Sequence, residues 1–167
     1  MSVWSPYLVK DIECLEKVQR SVAEQPSWFR DSCKQYEDRL KLLGITSLQK
    51  RRTRGDLIQV FRIVKGFDTV DFGAFFELDN GGGHALRGHN WKLKVNRCRL
   101  QVRRCFFSQK IISTWDKLPA SVVEASSVNS FKKRLDDWSK DVELLISDDY
   151  IHYYYKLQVT SYLTPHY

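Results

Sequence analysis

The chain has 167 residues, enough for one ordinary domain or two small ones. Hydrophobic residues make up 43% and charged residues 28%, a balance that excludes a disordered chain and is typical of a globular one. The 27 lysines and arginines against 20 acidic residues leave a net charge of +7, which favours polyanionic partners, nucleic acid first and an acidic membrane surface second.

The spacing of the cysteines and the lack of long apolar runs indicate the cellular compartment in which the protein works. Asp11 and Glu13 interrupt any early apolar run of the kind found in a secretory signal. No stretch approaches the roughly 18 to 20 apolar residues of a membrane span, so we expect no membrane partner. No C-x-x-C pair occurs among the four cysteines Cys14, Cys33, Cys98 and Cys105. We expect an intracellular protein, nuclear or cytoplasmic, whose thiols are mostly core residues.

The first 79 residues have the apolar spacing of helices. Ser5 and Pro6 are typical of a helix start, and Pro26 ends or interrupts that helix. A second helix is predicted from near Ser32, with Gly44 placed to close it. A third helix should follow over about residues 46–66, and a short aromatic helix over residues 71–78.

The third predicted helix has two notable positions. Thr46 and Gln49 have capping-box spacing, which places its start at Thr46. Gly55 lies inside the helix at a cost of about 1 kcal/mol relative to alanine. Close packing against another element would explain this glycine.

Residues 80–83, Asn-Gly-Gly-Gly, interrupt all regular patterns and predict a hinge. We therefore expect a helical region at residues 1–79, the hinge at 80–83, a second region at 84–146 and a tail at 147–167, which the composition leaves either a late strand or disordered.

After the hinge, apolar residues recur at every second position instead of at helical spacing. Residues 91–95 and 98–103 alternate apolar and polar side chains, which predicts two antiparallel strands joined at Asn96 and Arg97. Helical spacing returns with the core stripe Phe107, Ile111 and Trp115, and Pro119 stops it. Ser127 should cap a last helix whose apolar face contains Val128, Phe131, Leu135 and Trp138. The expected fold class is α+β, mainly α, with one small antiparallel hairpin packed with helices.

The predicted hairpin is strongly basic. Between Arg87 and Lys110 there are eight lysines and arginines and no acid. Alternation places Trp91, Leu93, Val95, Leu100 and Val102 on a buried underside, with cations in a row on the other face, as a phosphate backbone requires. A solvated sheet face is the alternative. The candidate nucleic-acid-binding residues of this region are Arg87, Lys92, Lys94, Arg97, Arg99, Arg103 and Arg104.

A second basic cluster lies in the first turns of the third helix. Helical spacing puts Lys50 and Arg54 on one face, as it does Arg51 and Arg54. Cations near a helix start are unfavourable to the helix dipole, which hints at a use in binding phosphates. Ordinary surface charge remains the alternative. The candidate residues of this cluster are Lys50, Arg51, Arg52 and Arg54.

No pattern for catalysis or for a cofactor is present. The potential ligands His84, His89, Cys98 and Cys105 meet no zinc-site spacing, so we expect structural cysteines, surface histidines and no metal. Residues 147–149, Ser-Asp-Asp, superficially echo a polymerase aspartate pair but lie among acidic tail residues, and a solvated linker is the expectation.

An ordered series of short segments runs through residues 3–138. It includes Val3-Trp4-Ser5-Pro6-Tyr7, Tyr36-Glu37-Asp38-Arg39-Leu40, Arg54-Gly55-Asp56-Leu57-Ile58, Phe106-Phe107-Ser108-Gln109-Lys110, Trp115-Asp116-Lys117-Leu118-Pro119 and Asn129-Ser130-Phe131-Lys132. The series resembles the region after the polymerase palm in jockey-like and related LINE-type (non-LTR) retrotransposon reverse transcriptases, with the first segments similar to the helical thumb.

This resemblance implies a piece that grips template-primer or element RNA beside an RNA-directed DNA polymerase centre. The catalytic aspartates would lie upstream, so the chain alone is expected to bind RNA, DNA or a hybrid duplex without polymerising it, and to contact the upstream polymerase domain. Two alternatives stay open: a repurposed protein–protein interaction module, and an inactive relic of a retroelement.

Overall fold

The computed structural model describes residue 6 and residues 8–24, 35–79 and 88–141. Its contacts divide the chain into two compact units, which are described separately. Unit 1 comprises Met1–Trp4 and Thr53–Leu145, and unit 2 comprises Ser5–Arg52 and Ile146–Tyr167. The described residues are mainly helical, which confirms the mainly α part of the expected fold class. The glycines of the predicted hinge and the tail at 147–167 lie outside the described residues.

Unit 2 is built from α1 (Val9–Glu24), α2 (Tyr36–Leu42) and the first turns of α3 (Leu48–Val64). Ala23 and Leu40 are its buried apolar residues among those described. Gly44 follows α2 with a φ of 64°, the left-handed conformation that glycine adopts without steric cost, as predicted for this helix end.

Polar side chains of α1 hold the start of α3. The Glu16 carboxylate accepts a hydrogen bond from the backbone N–H of Gln49 at 3.1 Å and another from the Tyr36 hydroxyl at 3.0 Å. Ser47 Oγ accepts from the N–H of Lys50, so Ser47, rather than the predicted Thr46, caps α3. Two N–H groups that have no partner inside the helix are thereby satisfied.

Unit 1 surrounds one apolar core. The remaining helices are α4 (Gln101–Cys105), α5 (Phe107–Lys110), α6 (Ile112–Asp116), α7 (Ala120–Val123) and α8 (Val128–Asp141), with a single 3-10 turn at Phe72–Ala74. The rings of Phe61 on α3 and Phe131 on α8 stack with centroids 4.2 Å apart, and Trp115 is fully buried beside Phe131. The stripe Phe107, Ile111 and Trp115 is buried as predicted, although α5 and α6 replace one continuous helix.

The start of α8 also follows the sequence pattern. Ser127 Oγ accepts from the N–H of Ser130 at 3.2 Å, which is the predicted N-cap. Phe131 and Leu135 are buried, and Val128 and Trp138 pack against the same core.

The predicted β-hairpin is wrong. No β-strand occurs among the described residues, and the β-pairing at residues 91–95 is one antiparallel bridge between Leu93 and Leu78. Asp79 N–H donates to Lys92 O, and Lys94 N–H donates to Glu77 O. The partner of this segment therefore precedes the glycine run instead of following Asn96.

The second predicted strand is a loop and a helix. Residues 101–105 form α4, and the N–H groups of Arg103 and Arg104 both donate to the carbonyl of Leu100. These local bonds satisfy backbone groups that a strand would have to pair with a neighbour. An alternating pattern forms a strand only where a partner strand is available, and none is described here.

The contacts divide the chain inside α3, between Arg52 and Thr53, rather than at the glycines. Residues on both sides of the glycine run belong to unit 1, where Leu78 and Leu93 form their bridge. The regions expected at 1–79 and 84–146 therefore do not coincide with the two units.

Candidate nucleic-acid interface

Residues 94–104, called here the basic loop, form an exposed excursion from the core of unit 1. The buried side chains of Leu93 and Cys105 hold its two ends. Between them no described side chain is buried and the sequence contains no acid. The cations of the loop are Lys94, Arg97, Arg99, Arg103 and Arg104. The basic segment identified from the sequence is therefore at the surface, although it is not a hairpin.

Four of these five cations are exposed to solvent and are not neutralised by a described acidic residue. The side chains of Arg97, Arg99, Arg103 and Arg104 are exposed, and none forms an ion pair with a described residue. Arg104 Nε donates to the carbonyl of Cys98 at 3.1 Å, which closes the loop on itself. The guanidinium of Arg103 lies over the Phe106 ring, 5.8 Å from its centroid. Neither contact neutralises the positive charge.

Apolar side chains of the loop are exposed as well. Val95 and Leu100 are each 68% exposed, and Val102 is 62% exposed. Phe106, just beyond the loop, also faces solvent over 41% of its surface. The predicted buried underside is thus wrong for these three aliphatic residues, and only Leu93 is fully buried. No apolar side chain of the described residues covers Val102 on α4.

The other predicted cations of this region have partners inside unit 1. Lys94 forms an ion pair with Glu77 at 2.7 Å. The ammonium of Lys92 donates to the backbone carbonyl of Asp116. Asp116 in turn accepts from the N–H of Leu93 at 3.0 Å, while burial raises the pKa of this carboxyl. Lys92 thereby holds its segment against α6, whereas the pair of Lys94 with Glu77 lies beside the Leu78–Leu93 bridge. Arg87 lies outside the described residues.

Arg54 of the second cluster is also engaged. Its guanidinium donates from Nε and Nη2 to the two carboxylate oxygens of Asp136, at 2.6 and 2.8 Å. These hydrogen bonds lower the pKa of Asp136 and raise that of Arg54. The pair joins α3 to α8 within unit 1. Arg54 therefore stabilises the fold, and its guanidinium is already engaged by a carboxylate rather than open to a phosphate.

Lys50, Arg51 and Arg52 belong to unit 2. Lys50 is exposed and forms no ion pair with a described residue. Arg51 donates from Nη2 to Oε1 of Gln19 on α1, and the side chain of Arg52 is half-buried. Within the described part of the chain, Lys50 is therefore the one side chain of the predicted row along α3 that is exposed and has no ion-pair or hydrogen-bond partner.

His89 is buried, which corrects the expectation of a surface histidine. Nδ1 accepts a hydrogen bond from the N–H of Trp91 at 3.1 Å, so the ring proton resides on Nε2, which donates to the carbonyl of Trp115 at 3.2 Å. Burial lowers the pKa of His89. Both ring nitrogens are therefore engaged in hydrogen bonds, and His89 holds residues 89–91 on α6.

Metal-ligating groups do not assemble in the described part of the chain. No three His, Cys, Asp or Glu side chains there lie close enough to hold an ion together. Cys14, Cys98 and Cys105 form no disulfide with another described residue.

The search for membrane-spanning helices and the comparisons with known proteins give no further indication of function. Among the described helices, none combines the length and the apolar character that crossing a bilayer requires. Comparisons with protein-family models, with curated proteins and with solved structures give no match. The interface is therefore defined by its own geometry and charge.

Proposed function

We propose that the chain is a non-catalytic C-terminal piece of a LINE-type retrotransposon reverse transcriptase that binds template-primer or element RNA through phosphate contacts. The ordered series of segments between residues 3 and 138 supports the relationship. In this proposal the polymerase aspartates belong to an upstream domain, and the basic loop supplies the contact with nucleic acid.

The observation that carries the proposal is the set of four exposed arginines on one loop whose own sequence contains no acid and which form no ion pair with a described residue. Arginine presents a planar fork of donors that suits phosphate oxygens. An exposed cluster of one sign is favourable only when a counter-charge is supplied from outside, because like charges repel one another. A polyanion meets that requirement and releases its own counterions on binding.

The test is a titration of the purified chain with a fluorescein-labelled RNA–DNA hybrid, followed by fluorescence anisotropy over about 50 to 200 mM salt. If Arg97, Arg99, Arg103 and Arg104 each neutralise one phosphate, log K against log salt has a slope of about −3.6 on duplex. Changing Arg99 and Arg103 to glutamate should abolish most binding at the higher salt.

A matched control changes Lys117 and Lys133, two exposed cations of unit 1, to glutamate. This variant has the same net charge as the R99E/R103E variant but an unaltered basic loop. Equal losses in the two variants would mean that net charge alone attracts the nucleic acid. Absence of binding at low salt to both the hybrid and a single-stranded RNA of the same length would overturn the proposal.

A second candidate function is a protein–protein interaction module. Val18 and Val22 favour it, because they lie four residues apart on α1 and are 64% and 61% exposed. Binding to a protein through such a surface would show little dependence on salt. Changing both valines to serine would weaken that binding and leave the affinity for nucleic acid unchanged.

A further inference from the structure

We propose that the nucleic acid held by the basic loop is single-stranded, with its bases against the exposed apolar side chains of the loop and its phosphates on the arginines. This inference rests on the proposed function and specifies its substrate class. The observation behind it is that apolar and cationic side chains are exposed together over one short segment.

The loop exposes more apolar surface than phosphate binding requires. Val95, Leu100 and Val102 are all more than 60% exposed, and they lie among the four arginines of the loop. A duplex offers its phosphates to such a loop but keeps the faces of its bases stacked inside. A single strand offers both phosphates and the apolar faces of unstacked bases.

The local geometry brings the two kinds of side chain together. The guanidinium of Arg103 lies over the ring of Phe106, which is 41% exposed, so a partly exposed aromatic side chain and a cation are neighbours at the end of the loop. Leu100 is the N-cap residue of α4, and its carbonyl accepts hydrogen bonds from the N–H groups of Arg103 and Arg104, so the three residues belong to one turn. A base against Leu100 would therefore have its phosphate within reach of a cation.

The loop is also held in place at both ends. The bridge of Leu93 to Leu78 fixes its start, and the buried side chains of Cys105 and Phe107 fix its end. Anchoring of this kind limits the ordering entropy that a binding loop loses when its ligand arrives. Charge complementarity selects a polyanion over an apolar protein surface, since no acid lies between residues 80 and 115.

The experiment compares three probes of equal length on the unmodified chain: an unstructured single-stranded RNA, the same RNA annealed to its complement, and an abasic phosphodiester strand of the same charge. We expect the single strand to bind most tightly, and the abasic strand to bind about tenfold more weakly, which corresponds to the loss of one base contact. Equal affinity for the abasic strand and the RNA would overturn the inference.

A pair of variants separates the two kinds of contact. Changing Leu100 and Val102 to glutamine removes apolar surface, keeps every cation and places a better helix former at position 102 of α4. It should weaken binding of the single strand about tenfold and leave the salt slope unchanged. Changing Arg97 and Arg99 to glutamine should instead reduce the slope by about 1.4 on a single strand.

The possible failures are distinguishable. If neither single strand nor duplex binds at low salt, the proposed function itself fails. If both bind with a steep salt slope, but duplex binds as well as single strand or the L100Q/V102Q variant is unimpaired, only the inference of single-strand binding fails. In that case the apolar side chains serve another occupant, such as a protein.

Discussion

Lys110 and Asp56 form an ion pair of 2.8 Å inside unit 1, with side chains only 11% and 6% exposed. Lys110 lies on α5 and Asp56 on α3, so the pair joins the two segments that flank the bridge region. In the sequence Lys110 is simply the last cation of an acid-free basic run. Its buried partner, 54 positions earlier, gives it a structural role.

Changing Lys110 to methionine should therefore lower the free energy of unfolding by about 3 to 5 kcal/mol, because it leaves the carboxylate of Asp56 buried without its partner. Urea unfolding monitored by tryptophan fluorescence measures the loss. The double variant K110M/D56L should recover most of it, since apolar residues of similar volume replace both charges. A double variant as unstable as K110M would contradict this account.

The second prediction concerns Glu16, which holds the start of α3 in unit 2. Changing Glu16 to alanine should cost about 2 kcal/mol, the order expected for hydrogen bonds to a charged acceptor. The amide of Gln49 should lose protection in hydrogen exchange. Burial, and after it the hydrogen bond to Glu16, raises the pKa of Tyr36 to about 12. In the variant this pKa should fall but stay above 10, because burial remains.

The conservative change of Glu16 to glutamine is the matched control. Its amide oxygen can still accept from one donor, so the loss of stability should be smaller than for alanine. Unchanged exchange at Gln49 in the alanine variant would show that α3 does not depend on this carboxylate.

The third prediction is a pH dependence caused by His89. Its pKa in the folded state is below 6.5, its ordinary value, because of burial. Lys92 and Lys65 lower it further, while the carbonyl of Trp115 and the carboxylate of Glu124 act the other way. Below pH 6.5 the unfolded chain therefore binds a proton that the folded chain does not. Stability is full above pH 6.5 and should fall by about 1.4 kcal/mol per pH unit down to the folded pKa.

Changing His89 to glutamine removes the titration while an amide can still donate to Trp115 and accept from Trp91. Denaturant unfolding at several pH values between about 7 and 5 should show a flatter dependence for this variant. The measurement stops at about pH 5 because burial also raises the pKa of Asp116. The folded state therefore binds a proton at Asp116 more readily than the unfolded state, which stabilises it as the pH falls further. The same slope in both proteins would assign the effect to other groups.

The fourth prediction concerns Gly55, for which close packing was the sequence-based explanation. A β-carbon there would meet no atom within 4 Å, so packing does not require the glycine. Changing Gly55 to alanine should raise the free energy of unfolding by about 0.5 to 1 kcal/mol, because alanine loses less backbone entropy in a helix. Denaturant midpoints measure the gain, and a destabilised variant would contradict it.

Gly66 provides the control for Gly55. It has equally open surroundings but a φ of 69°, a conformation that other L residues rarely adopt. Changing Gly66 to alanine should therefore destabilise the protein. The opposite signs of the two substitutions would separate backbone conformation from packing.

The helices were largely predictable because their signals are local. The Ser127 cap, the glycines that end α2 and α3, and the apolar faces of α3 and α8 depend only on residues within a few turns of one another. The exposed basic loop was predictable in location for a similar reason, since five cations within eleven residues without an acid are costly to bury.

The sequence by itself determined α1, α2, α3 and α8, the apolar core residues of α3, α5, α6 and α8, and a cationic surface near residue 100. Only the tertiary structure decided that residues 91–95 pair with Leu78, that Val95, Leu100 and Val102 are exposed, and that Arg54 and Lys110 have acidic partners. The physical reason is that helix formation depends on neighbours in sequence, whereas strand pairing and charge neutralisation depend on which distant residues the fold brings within a few ångströms.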